Sequence, residues 1–186
     1  SIDYFGYMKK MLLTLYNVKM IGEGALPIHG ACVHITMKSG ATKNIVIIGD
    51  SGAGKSESLE ALSAVAGDNI SSQLTIFDDM GTFKFNEEGN ILAYGTEIGA
   101  FVRLDDMTSG YAYKEMDRAI FMNPDKINSR LVIPVATYPQ IMKGYKVDMV
   151  LYANNYDAKC SSEVEFYSTP DEAKQIFIRG ARRAKG

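Results

Sequence analysis

Long apolar runs, strong net charge and paired cysteines are all missing from this chain of 186 residues, and each absence excludes something. The longest apolar stretches, 45–48 and 148–152, are far too short to cross a bilayer, and no signal peptide opens the sequence. No membrane partner is therefore expected, and the chain reads as soluble. A formal charge of -2 argues against general nucleic-acid binding. The two cysteines, Cys32 and Cys160, lie far apart without metal-ligand spacing. They support neither a disulfide framework nor a zinc site and read as small buried residues of a cytoplasmic protein. Repeats and low-complexity tracts are lacking too, so residues 1–186 are expected to form a single domain. The start at Ser1 rather than methionine suggests a piece of a longer polypeptide.

The most informative feature that is present begins at Ile45. An apolar run to Ile48 meets Gly49, Asp50, Ser51, Gly52, Ala53, Gly54, Lys55 and Ser56, which match Gly-x-x-x-x-Gly-Lys-Ser. That is the P-loop pattern for nucleoside triphosphates, and all eight residues are expected to bind the nucleotide. Gly49, Gly52 and Gly54 lack the Cβ that blocks positive φ, so successive backbone N–H groups can form a nest for phosphate oxygens. Lys55 supplies a cation and Ser56 a hydroxyl for the metal on the phosphates. The following residues to Ala66 carry Leu59, Leu62 and Val65 on one side of a helix.

Helical spacing of Met8, Leu12, Leu15 and Tyr16 predicts an amphipathic helix with Lys9 and Lys10 near its start. Strands are expected at 25–37 and 44–48 around a polar turn, at 74–77, and at 82–85 and 91–94 around a second turn. Further strands are expected at 131–135, 147–153 and 163–167. The stretch 94–104, with Glu97, reads as a twisted surface hairpin. Thr169, Pro170 and Glu172 carry the start signals of a last helix. Many strands with few helices point to a mixed α/β, β-rich domain.

Asp78 and Asp79 are placed at a strand end downstream of the loop, where a carboxylate beside Ser56 could hold the magnesium of a bound triphosphate. On an extended strand His29 and His34 face opposite ways, because their separation is odd. They cannot share one site, and His34 reads as a packed or hydrogen-bonded residue.

Taken in order, the segment Tyr4 to Lys10, the segment Leu26 to Gly30, the loop Gly49 to Ser56, the pair Asp78 and Asp79, and Asn128 to Arg130 followed by Pro134 form a motif set. This set resembles ATP-dependent phosphoenolpyruvate carboxykinase, over most of the chain but only over the nucleotide-binding half of such an enzyme. The resemblance implies a β-rich P-loop domain of the phosphoenolpyruvate carboxykinase or HPr kinase type, using ATP, Mg2+ and Mn2+ on oxaloacetate to give phosphoenolpyruvate. It implies Lys10, His29 and Asp79 as ligands of the transition metal, with Asp78 supporting the magnesium and Ser56 holding the nucleotide's metal. Lys55 and Arg130 would spread the charge of the transferring phosphoryl group, and Tyr4 and Ser51 would lie near the organic acid.

Some positions depart from that family: Tyr7 stands where it carries Glu, and Met80-Gly81 where it carries Glu-His. Ser56-Glu57 and the upstream His-Gly are closer to HPr kinase/phosphorylase, which phosphorylates a serine of a small carrier protein. A protein or small-molecule kinase, and a nucleotide-sensing module without catalysis, therefore stand beside the carboxykinase reading.

Overall fold

The structure is a computed structural model. It describes residues 5–49, 54, 55, 58, 61, 62, 66–103, 120–122, 130–153 and 166–179. Helix α1, Phe5–Gly22, extends beyond the predicted stripe at both ends. It stops where Gly24, at φ +77°, turns the chain so that Ala25 N–H donates to Met20 O at 2.9 Å and Gly24 N–H to Ile21 O at 3.0 Å. Only glycine takes that left-handed turn without strain. The inward face of α1 carries Gly6, Lys9, Leu13, Tyr16, Asn17 and Met20. Met8, Leu12 and Leu15, three of the four residues that signalled the stripe, face solvent instead.

Strands β1 (Leu26–Met37) and β2 (Thr42–Ile48) form the expected hairpin, its turn closed by Gly40 at φ +85°. Strand β3 departs from expectation: Ile70–Phe85 is one strand of 16 residues. Asp78 and Asp79 therefore lie inside a strand and not at the end of one. Pairing along the length of β1 explains this, because Leu26 through Met37 supplies ladder partners from Phe83 back to Ile70. Strand β4 (Ile91–Gly95) returns through the predicted turn, where Asn86 Oδ1 accepts from the N–H groups of Glu88 and Asn90.

Strands β5 (Gly99–Arg103), β6 (Ile120–Met122) and β7 (Arg130–Pro134) follow, and β5 pairs with β7, not with β4. The surface hairpin expected over 94–104 is thus replaced by a crossing from one sheet to another. Helix α2 (Tyr138–Met142) begins at a Thr137–Gln140 capping box. A 3-10 turn at Gly67–Asn69 precedes β3, and strands β8 (Tyr145–Lys146) and β9 (Met149–Tyr152) and helix α3 (Pro170–Arg179) follow α2. At α3 the Thr169 hydroxyl accepts from Glu172 N–H at 3.3 Å, and the Glu172 carboxylate accepts from Ser168 N–H at 3.0 Å. Of the strand expected over 163–167, residues 163–165 lie outside the described part; Phe166 and Tyr167 are not in a strand.

One sheet runs β8-β4-β3-β1-β2-β9, with only β2 and β9 parallel, and a three-stranded antiparallel sheet runs β5-β7-β6. The architecture is mixed α/β and strand-rich. Alternation along β1 separates the two faces of the large sheet. Ile28 and Cys32 pack with Val46, Ile76, Phe77, Phe83 and Tyr145 on one face. On the other face Ala31, Val33 and Ile35 pack with Ile47 and with Leu62. Burial pushes the Cys32 thiol up to about 12, so it is a packing group and not a nucleophile. Among the described residues no helix is long and apolar enough to cross a membrane.

Two glycines in this sheet are dictated by close approach. A Cβ on Gly30 would lie 2.7 Å from Ile47 O, and one on Gly81 would lie 2.3 Å from the Phe77 ring. Phe77 is fully buried, and its ring lies flat over the Gly81 backbone. Gly81→Ala is expected to cost about 1–3 kcal/mol through overpacking. Phe77→Leu in the same molecule should recover part of that loss in thermal melts, which an effect confined to Gly81 backbone freedom would not produce.

Candidate functional site

Gly30 has Ile48 opposite it on β2 and Asp79 opposite it on β3. The strand leading into Gly49 and the strand carrying Asp79 are therefore separated by β1 alone, roughly 10 Å at about 4.8 Å per strand. His29 shares a sheet face with Ala31 and Val33, on which Leu62 packs. The segment after the loop and the imidazole thus lie on one side of the sheet.

In a regular pleat Asp79 would point to the opposite, core-packed face with Phe77 and Gly81. The Phe77 ring over Gly81 occupies that face. Asp79 instead adopts φ +132°, the only positive φ of a non-glycine residue among those described. The turned carboxylate reaches His29, with Oδ1 2.9 Å from Nε2. Positive φ at a non-glycine residue costs of order 1–3 kcal/mol, and such strain concentrates at functional sites.

Lys9 of α1 closes the cluster. Its Nζ lies 3.4 Å from Asp79 Oδ2 and 3.1 Å from Glu97 Oε2, and little of its side chain is exposed. Glu97 is held near β3 because Thr96, its neighbour, donates its hydroxyl proton to Met80 O at 2.9 Å. The two carboxylates respond differently to these surroundings. Burial works to raise Asp79, but the hydrogen bond from His29 and the charge of Lys9 outweigh it, and the carboxyl sits below its ordinary value. Burial raises Glu97 as well; there Lys9 offsets only part of the effect, the charges of Asp79 and Asp78 add to it, and the carboxyl sits above its ordinary value.

At the other end, Lys55 is buried and its Nζ donates to Gly49 O at 3.0 Å, so the lysine ties together the two ends of the loop. Gly54 takes φ +83°, and its carbonyl accepts from both Ser58 N–H and Ser58 Oγ, which starts a helical turn. Lys55, Ser58, Ala61, Leu62 and Ala66 are helical, as the sequence predicts. Asp50, Ser51, Gly52, Ala53 and Ser56 lie outside the described residues, as does Tyr4.

No family model and no curated protein matches this chain.

Of the residues singled out from the sequence, the structure brings His29 and Asp79 into contact, with Asp78 one residue away on β3. It does not bring Lys10 to them. Lys10 is exposed, and Lys9 occupies the place expected for it. Adjacent helix positions differ by about 100° in direction, so the packing of α1 through Gly6, Leu13 and Met20 turns Lys9 inward and Lys10 out. Arg130 opens β7 in the second sheet, opposite Arg103 and Met122. His34 is a hydrogen-bonded packing residue, with Nδ1 2.6 Å from Asn44 Oδ1 and its ring against Tyr145. Glu97 is the site residue least visible in the sequence, because a charge between Gly95 and Gly99 reads equally well as a turn residue.

His29 Nε2 and Asp79 Oδ1 lie 2.9 Å apart in a hydrogen bond; a divalent cation could take both atoms only in place of the proton they share, since a nitrogen that donates N–H has no lone pair to offer. Among the described residues no group of three His, Cys, Asp or Glu side chains is placed to hold a metal. A third ligand from these residues would have to be of another type, and Lys9, while ion-paired as an ammonium, has no lone pair to offer.

Two experiments check this geometry. Asp79→Gly and Asp79→Ala both remove the carboxylate, yet only glycine accepts φ +132° without strain. The glycine variant should be more stable by about 1–2 kcal/mol in denaturant titrations; equal stabilities would mean that the backbone carries no strain. Carboxyl NMR titration should place Asp79 below and Glu97 above their free values of about 3.9 and 4.3, with Lys9→Met raising both. The stabilisation from ionised Asp79 is present above about pH 3.9 and is lost as pH falls through the lowered folded value. For Glu97 the folded state holds its proton more tightly, so stability declines as pH rises from about 4.3 through the raised value.

Proposed function

We propose that this chain is a nucleotide- and metal-dependent phosphoryl-transfer domain, with ATP as donor. The observation that carries the reading is the strained Asp79, turned onto His29 one strand away from the strand that enters the P-loop. Strain maintained to expose a carboxylate beside an imidazole serves chemistry better than it serves stability.

In this reading the backbone amides from Gly49 to Gly54 cradle the phosphates, and Lys55 leaves Gly49 O for a phosphate oxygen. Ser56 holds the nucleotide's Mg2+. His29 and Asp79 hold a second divalent cation, Mn2+ in the carboxykinase pattern, which when bound supplies positive charge to the phosphoryl oxygens and the acceptor. Lys9 orients Asp79 and screens it from Glu97. The acceptor in the first reading is the enolate formed by decarboxylation of oxaloacetate, giving phosphoenolpyruvate; oxaloacetate is the small-molecule substrate, and Arg130, Tyr4 and Ser51 are the positions implied for its contacts. A second reading, phosphorylation of a hydroxyl on a protein or small molecule, is favoured by the exposure of Lys10. Without that amine the metal set of a carboxykinase is not assembled, and Asp78 or Asp79 is left to serve as general base.

Calorimetric titration with ATP and Mg2+ should show binding that Lys55→Ala weakens at least about tenfold, without a shift in melting temperature larger than a few degrees. Mn2+ binding, followed by electron paramagnetic resonance, should be lost in His29→Ala and Asp79→Asn and kept in Lys10→Ala. Retention of Mn2+ affinity in both of the first two variants would remove the metal assignment. Phosphoenolpyruvate formed from oxaloacetate and ATP supports the carboxykinase reading, and ATP turnover only with a protein acceptor supports the kinase reading.

A further inference from the structure

Helix α1 is apolar on both sides. Its inward face mixes Gly6, Lys9 and Asn17 with Leu13, Tyr16 and Met20, whereas Tyr7, Met8, Met11, Leu12, Leu15, Val18 and Ile21 are 46–64% exposed. Within that set Met8, Met11, Leu15 and Val18 follow one another at intervals of three, four and three, with Gly22 next at four. This is the spacing of a seam between two paired helices. The seam carries no charge: Lys9 is turned to Asp79 and Glu97, and Lys19 is paired with Glu23.

We propose that this face is a self-association surface, on which two copies of the chain pair α1 against α1 as antiparallel helices about a two-fold axis near Leu15. The volumes along the seam fit that arrangement. The bulky end, Tyr7, Met8 and Met11, meets the small end of the other copy, Val18 and Gly22, and a Cβ added at Gly22 would touch nothing within 4 Å. Antiparallel packing also sets each helix N-terminus beside the other's C-terminus, which the helix dipoles favour. The exposed area of these seven residues, on the order of 800 Å2, is the most they can bury in such a pairing, against the roughly 800 Å2 that each partner contributes to a standard specific interface. A seam complementary to itself is satisfied by a second copy without any further partner. The proposal is independent of the nucleotide and metal reading, because among the described residues the ion pairs and hydrogen bonds of His29, Asp79 and Glu97 come from Lys9 and from one another and involve no seam residue.

Sedimentation velocity of the 186-residue chain should show a concentration-dependent dimer. Leu15→Glu, at an exposed position that leaves the fold intact by circular dichroism, should weaken the dimer at least about tenfold. In a Cys160→Ser background, Leu15→Cys should oxidise to a disulfide-linked dimer, because the axis brings two copies of position 15 together, and Met8→Cys should not. A monomer at every concentration overturns the proposal, as does a dimer unaffected by Leu15→Glu. A monomer that instead binds phosphatidylcholine vesicles gives the face to a lipid surface and equally overturns it. Faster linkage at position 8 than at 15 overturns the antiparallel arrangement.

Discussion

The Phe77 ring lying over Gly81 determines where the carboxylate of Asp79 can go. A buried aromatic on the core face leaves no room there for a charged group two residues further on, and burying that charge unpaired would cost far more than the backbone strain that avoids it. Turned to the other face, the carboxylate meets His29, and Lys9 and Glu97 complete the cluster. The position of the site thus follows from a packing constraint in the hydrophobic core, transmitted through one backbone torsion.

The same sheet positions the loop. Strand β1 is paired on both sides, by β2 leading to Gly49 and by β3 carrying Asp79, and Gly30 allows the β2 backbone to approach closely at that level. Lys55 bridges the loop ends through Gly49 O. Charge is distributed unevenly across the cluster. Asp79 is held ionised by its neighbours, and Glu97, on the far side of Lys9, keeps its proton to higher pH.

Much of the local structure was legible in the residues. The β1–β2 and β3–β4 turns, the helical character after the loop and the Thr169–Glu172 cap all follow from nearest-neighbour chemistry, and so does the opposed orientation of His29 and His34. The errors have a common cause. Strand β3 was expected to end at Asp78 because two adjacent acids look like a terminus; its length comes instead from pairing along the whole of β1. The apolar stripe of α1 predicts an inward face at Met8, Leu12 and Leu15, and these residues face solvent; Lys10, named through the family resemblance, is exposed, while its neighbour Lys9 points to Asp79. The stretch 94–104 was expected to fold back on itself because nothing local shows that β5 has its partner in β7, some thirty residues later in the chain.

The sequence alone marks the segment from Gly49 to Ser56, because glycines and a lysine at fixed spacing carry backbone freedom and charge that belong to a single short segment. His29 and Asp79 were named through a family resemblance, and the fold brings them into contact. Which lysine joins them, that Glu97 stands behind it, and how Asp79 is turned were decided only by tertiary structure. Each of these depends on contacts between segments distant in the chain, where helix phase, strand register and the volume of one phenyl ring are settled together.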